Sequence, residues 1–109
     1  MTASGFLTVA PVIEDSMASE VAAAVEALED FDVAYETTAM GTIVEADDAD
    51  ELFAAASAAH AAVDADRVST FLKVDDKRTS TAPAAEKVDA VEAELGREAR
   101  GGQERVDRK

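Results

Sequence analysis

Apolar residues in this chain change their spacing in a fixed order, and that order limits the available folds more than any single residue does. Phe6-Leu7-Thr8-Val9-Ala10-Pro11-Val12 is β-prone, and Pro11 marks a strand that is ending or locally unpaired. Met17, Val21, Ala24, Val25 and Leu28 then follow the 3.6-residue helical period, with Asp15 or Ser16 as the capping candidate. Val33–Thr38 and Thr42–Ala46 alternate with period two around Ala39-Met40-Gly41, which reads as a β-hairpin with glycine supplying the permissive turn backbone. Asp47 or Asp48 caps a second helix from Asp50 to about Asp64, whose stripe is Leu52, Ala56, Ala59 and Val63. Val68, Thr70, Leu72 and Val74 make a last strand, and 75–80 is expected as a charged loop. Pro83 opens a third helix with Ala84, Val88, Val91 and Leu95 on its seam and Gly96 as its stop.

The order is β-α-β-β-α-β plus a terminal helix. It predicts an α+β, ferredoxin-like βαββαβ sandwich: one antiparallel four-stranded sheet, both helices on one face, and an additional C-terminal helix. Right-handed crossovers put strand one beside the last strand at the centre of the sheet. Residues 1–5 are expected as a flexible N-terminus and 6–95 as the single domain. Residues 96–109, without hydrophobic period, are expected as a disordered charged tail.

Composition removes several function classes. The 109 residues include no cysteine and one histidine, His60, so thiolate metal sites, a cysteine nucleophile and multi-histidine metal sites are excluded. No apolar run approaches the roughly 20 residues that span a bilayer. No basic region precedes the first apolar stretch, so it does not read as a signal peptide and a cytoplasmic location is expected. The formal charge is -14, from 24 Asp+Glu against 10 Lys+Arg. Residues 1–66 contain 15 acids and no Lys or Arg. Such a surface repels a phosphate backbone, which argues against nucleic-acid binding. With abundant alanine and few lysines it fits solvation in a high-salt cytoplasm, a halophilic character.

A two-layer fold leaves one sheet face without helices, and pleat parity tells which residues point there. Leu7, Val9, Val33, Tyr35, Val44, Val68, Leu72 and Val74 should meet the helices. The other parity carries Phe6, Thr8, Ala10, Glu36, Thr38, Ile43, Glu45, Ser69, Phe71 and Lys73. Two phenyl rings and an isoleucine facing water would be a contact surface, so a homo-oligomer (dimer or tetramer) is expected through the sheet face and terminal helix.

Tyr35-Glu36-Thr37-Thr38-Ala39-Met40-Gly41-Thr42-Ile43-Val44-Glu45 resembles the small thiamine-binding protein family, related to YkoF-type hydroxymethylpyrimidine/thiamine binders: a Tyr-Glu pair, Met-Gly-Thr, two apolar residues and a Glu. Val9-Ala10-Pro11 resembles its first strand, His60 stands where its second helix commonly has a histidine, and Arg67-Val68 with Val74-Asp75-Asp76-Lys77-Arg78 resembles its last strand and charged loop. Lys87-Val88 through Val91-Glu92 resembles its terminal helix. Lys77 stands where the family often has arginine. The resemblance implies a ferredoxin-like, non-enzymatic carrier or sensor of thiamine or its pyrimidine half, without a cofactor or metal, assembled as a dimer or as a tetramer of dimerised sheets.

The residues allow that chemistry. Carboxylates accept from an exocyclic amine and offset the thiazolium charge, phenyl rings offer a flat apolar face, and hydroxyls orient the ring. The expected ligand contacts are Thr8, Glu36, Thr38, Thr42, Glu45, Ser69, Phe71 and Lys73, on the sheet face or at a subunit interface. Thr8, Thr38, Thr42 and Ser69 are also explained as good strand formers, and Glu36 and Glu45 as solvated carboxylates or partners of Lys73. The alternative function is a structural or regulatory oligomeric interaction module without a small-molecule ligand.

Overall fold

The computed structural model describes residues 1–103. Eight elements follow in order: β1 (Thr2–Pro11), α1 (Ala18–Ala27), a 3-10 turn (Leu28–Asp30), β2 (Val33–Thr37), β3 (Thr42–Ala46), α2 (Ala49–Ala61), β4 (Val68–Lys77) and α3 (Ala85–Leu95). The sheet is antiparallel with order β2-β3-β1-β4. This is the expected ferredoxin-like arrangement with its additional C-terminal helix. One detail differs: β1 does lie beside β4, but β1 and β3 hold the centre and β4 is an edge.

Two boundaries also move, for one reason. Thr2–Gly5, expected as a flexible lead-in, is strand, because Ala3 pairs with Ala46 on one side and Asp76 on the other. Asp75–Lys77, expected as loop, is the other half of that ladder. Small and charged residues carry little β preference of their own, and hydrogen bonding to neighbours on both flanks of β1 decides their state. Of the expected tail, 104–109 lies outside the described residues; 97–103 forms no helix or strand, and Ala99 N–H donates to Glu92 Oε2 at 2.9 Å.

The core lies between the sheet and the α1–α2 layer. Leu28 and Leu52 are its largest fully buried side chains; Leu7, Val9, Val44 and Val63 join them, with alanines 3, 24, 46, 55, 56 and 59 filling the rest. Alanine lets helix and sheet backbones approach closely, and Gly5 carries this furthest: a Cβ there would meet Leu52 Cδ2 at 3.1 Å and Cδ1 at 3.2 Å. Asp48 caps α2, accepting from Glu51 N–H at 2.8 Å. α1 lacks a side-chain cap at its Met17 N-cap position; the Ser16 hydroxyl accepts from Ala18 N–H at 3.3 Å instead. Glu20 reaches across to accept from Asp64 N–H at 2.8 Å, tying α1 to the end of α2.

Candidate functional site

The ladder registers fix the helix-free face. Phe6 stands opposite Ile43 and Lys73, Thr8 opposite Phe71, Ala10 opposite Ser69, Glu36 opposite Ile43, and Glu45 opposite Ser4 and Ala34. Glu36 and Glu45 therefore share a side with both phenyl rings. Thr42 does not. It is 6% exposed, on the helix side beside Val44, and its hydroxyl lies 3.1 Å from the Thr37 hydroxyl.

One end of this face is occupied by the chain itself. Glu45 carboxylate accepts from Ala84 N–H at 3.1 and 3.2 Å, so it caps the start of α3 from a neighbouring strand. Lys87 pairs with Asp75 one turn later. That hydrogen bond and the Lys87 charge hold the Asp75 carboxyl below its usual value; Lys77 and Lys73 add to the effect, while burial opposes it. The pairing thus strengthens above the ordinary carboxylate range and is lost as pH falls through the lowered value. Glu36, Glu45, Ile43 and Val88 line a shallow cavity of about 370 Å³ beside the α3 start. Phe71 is 57% exposed, so the β4 side of the face is bare.

A second concavity, of about 210 Å³, opens where α1 passes the β2–β3 turn. Met17, Val21 and Val25 of α1 form one wall; Leu7–Ala10 form the floor; Thr37–Thr42 form the other wall. Its polar side chains are those of Thr37, Thr38 and Thr42; Thr8 lines it from β1, with its side chain on the helix-free parity. Thr38 is committed to the turn, donating to the Gly41 carbonyl at 2.7 Å and accepting from Met40 N–H at 3.2 Å. The Thr37–Thr42 pair is different. One hydroxyl donates to the other, which leaves the pair one O–H and further lone pairs to offer. Gly41 makes the turn possible: its φ is +156°, and a Cβ would lie 2.6 Å from Phe6 Cζ.

The eight expected contacts therefore separate into three groups. Thr8, Thr38 and Thr42 all line the cleft under the turn, although Thr8 has the opposite pleat parity to Thr42. Glu36 and Glu45 meet at the start of α3. Ser69, Phe71 and Lys73 lie along β4, beside Phe6. Met17, Val21, Val25 and Thr37 line the same cleft and are not among the expected contacts, although Thr37 is within reach of sequence reasoning: a register with Thr38 opposite Gly41 makes Thr37 the partner of Thr42.

Motif residues outside these groups brace the scaffold. Tyr35 hydroxyl donates to Glu29, joining β2 to the 3-10 turn. That bond raises the phenol pKa above its ordinary value, and burial and the charges of Glu29 and Glu26 act the same way. His60 Nδ1 hydrogen-bonds Thr70 Oγ1, linking α2 to β4. No helix among the described residues is long and apolar enough to cross a membrane.

Comparison with known proteins gives these features a lineage. The family model described as thiamine-binding protein matches residues 6–92. The chain belongs to that family. Within it, the chain is 47% identical over 94 residues to a UPF0045 protein of Methanothermobacter thermautotrophicus, covering 82% of this chain and 95% of that one. A crystal structure of a hypothetical protein from Methanocaldococcus jannaschii superposes with TM-score 0.75 at 31% identity, covering 83% of this family member and 95% of that chain. A putative thiamine biosynthesis/salvage protein from Thermotoga maritima shares the fold, with TM-score 0.70 at 20% identity over 84% of this chain and 99% of that one.

Proposed function

We propose that this family member binds thiamine, or its hydroxymethylpyrimidine half, without transforming it, in the cleft between α1 and the β2–β3 turn. The observation that carries the reading is an apolar slot whose wall opposite α1 holds a threonine pair with an uncommitted O–H. Methionine and valine side chains suit the faces of a flat heteroaromatic ring. A ring nitrogen can accept from the free hydroxyl proton, and the exocyclic amine can donate to a hydroxyl oxygen. Glu14 and Asp15 precede α1, and the net charge of -14 gives a field that favours a permanently cationic thiazolium.

Isothermal titration in molar salt tests this. Heat with thiamine, hydroxymethylpyrimidine or both is expected. Thr42→Val, which keeps the shape and removes the hydroxyl, should weaken binding up to about tenfold, since one hydrogen bond contributes about 0.5–1.5 kcal/mol. No heat with either compound would leave the interaction-module reading in possession, which the exposed Phe71 and Ile43 already favour.

We also propose that a second copy covers the bare end of the sheet. α3 has eleven residues and none buried, with Val88, Val91 and Leu95 all about half exposed. A helix this short is marginal in water unless its apolar seam packs on something. The Cα radius of gyration is 15.8 Å, against about 13 Å for a compact chain of this length.

The acidic surface further leads us to propose a halophilic protein. Its melting temperature should rise from low to molar salt, where the screening length shrinks from about 10 Å at 0.1 M to about 3 Å. A flat profile would contradict it.

A further inference from the structure

We propose that Met17 and Met40 form a redox-sensitive modification site at the mouth of the cleft between α1 and the β2–β3 turn, where a peroxide oxidises both thioethers to sulfoxides and so shuts off ligand binding. The proposal rests on the binding reading above and adds its regulation. The two side chains stand on opposite walls of the cleft, Met17 at the start of α1 and Met40 in the turn. Leu7, Val9, Ala24, Leu28 and Thr42 are the buried inner lining, whereas Met17 is 44% and Met40 80% exposed, so the two thioethers form the outer rim. Their backbones are held in place. Met17 carbonyl accepts from Val21 N–H at 2.9 Å, and Met40 N–H donates to the Thr38 hydroxyl at 3.2 Å. Neither methionine belongs to the buried core, so its chemistry can change while the fold persists.

The chain has no cysteine and no tryptophan, and its three methionines are the side chains that dilute peroxide attacks. A thioether Sδ takes one oxygen of hydrogen peroxide: the S–O bond forms as the O–O bond breaks, sulfur gives up an electron pair, and the other oxygen leaves as water with both protons. The product exchanges a soft apolar group, suited to the face of a heteroaromatic ring, for a strongly polar S–O bond. A bound ring would take that bond out of water from both walls at once, and a polar group desolvated without a partner carries a cost that the apolar contact no longer offsets. The change is reversible, since a thiol-dependent reductase removes the oxygen as water while two thiols become a disulfide. Met1, 52% exposed, stands at the other end of β1 from the cleft and serves as an internal control.

Titration before and after oxidation tests this, with thiamine or hydroxymethylpyrimidine, whichever gives the larger heat. The native chain in molar salt is treated with dilute hydrogen peroxide, the peroxide is removed with catalase, and peptide mass spectrometry locates the added oxygens. Affinity is expected to fall about tenfold or more while the thermal melt stays cooperative. Methionine sulfoxide reductases for both epimers, with dithiothreitol, should restore it. The variant Met17→Leu/Met40→Leu keeps both walls apolar, and its own affinity, weaker or not, should be the same before and after treatment although Met1 is oxidised in it too. The bound compound should also slow oxidation of Met17 and Met40 and leave that of Met1 unchanged. Undiminished affinity after full oxidation of Met17 and Met40, an equal loss in the leucine variant, a melt lost together with the affinity, or no protection by the bound compound would each overturn the proposal. The untreated chain separates the two readings. No heat there removes the ligand reading and this regulation with it, whereas heat that survives oxidation removes the regulation alone.

Discussion

Replacing Leu52 with alanine is expected to remove a large share of the domain's stability. Leu52 is 1% exposed and, with Leu28, one of two large side chains fully buried in the core. Its δ-methyls fill the space over Gly5, so truncation opens a cavity directly against β1. Leu72, whose Cδ1 approaches the same spot over Gly5, is the large neighbour that could lean in, while the alanines of the core cluster are too short to fill the space. Large-to-small changes of this type cost about 2–5 kcal/mol, with the higher values where the site fails to collapse. A domain of this size is stable by only about 5–15 kcal/mol in total. Thermal melts in molar salt should fall by about 10 °C or more, at about 4–8 °C per kcal/mol for small domains. A shift of less than about 4 °C would show that the core repacks, contrary to its alanine lining.

Gly41→Ala is expected to damage both the turn and ligand binding. The φ of +156° is one that side-chain-bearing residues rarely adopt, and holding alanine there costs on the order of 1–3 kcal/mol. A Cβ would also lie 2.6 Å from Phe6 Cζ and 2.8 Å from Thr8 Cγ2, so the ring must turn or the hairpin must lift. Lifting it separates the turn from α1 and shifts Thr42 from its place beside the cleft. The two contributions are separable. In the double variant Phe6→Ala/Gly41→Ala the ring is gone and the backbone strain and the Thr8 contact remain, so the second substitution should cost less than it does alone. Melting and titration of the four proteins of this cycle check it; full additivity would mean that Phe6 does not press on the turn.

Much of the architecture was readable because one rule governed it. Period-two alternation put Glu36, Glu45, Phe6 and Phe71 on one face, and the ladders bear that out residue by residue. The same rule was bent at Thr42. It was grouped with the site hydroxyls for its chemistry, while parity places it beside Val44 among the helix-facing residues. Thr38 stands just beyond β2, where turn hydrogen bonds rather than the pleat direct its hydroxyl. Glu45 shows a different limit. Its face was readable, but its occupation by Ala84 N–H, 39 residues away, was not.

The sequence by itself determined the order of elements, the parity of each strand, the Asp48 cap and the Gly96 stop, since each depends on residues within one or two turns of one another. Tertiary structure alone decided that Thr2–Gly5 and Asp75–Lys77 form strand, that β4 lies at an edge, and that α3 starts on the Glu45 carboxylate. Local spacing carries no record of which distant backbone will supply a hydrogen-bond partner, and in an alanine-rich chain many approaches are sterically open. The long-range ladders and the few large side chains, Leu28 and Leu52, select among them.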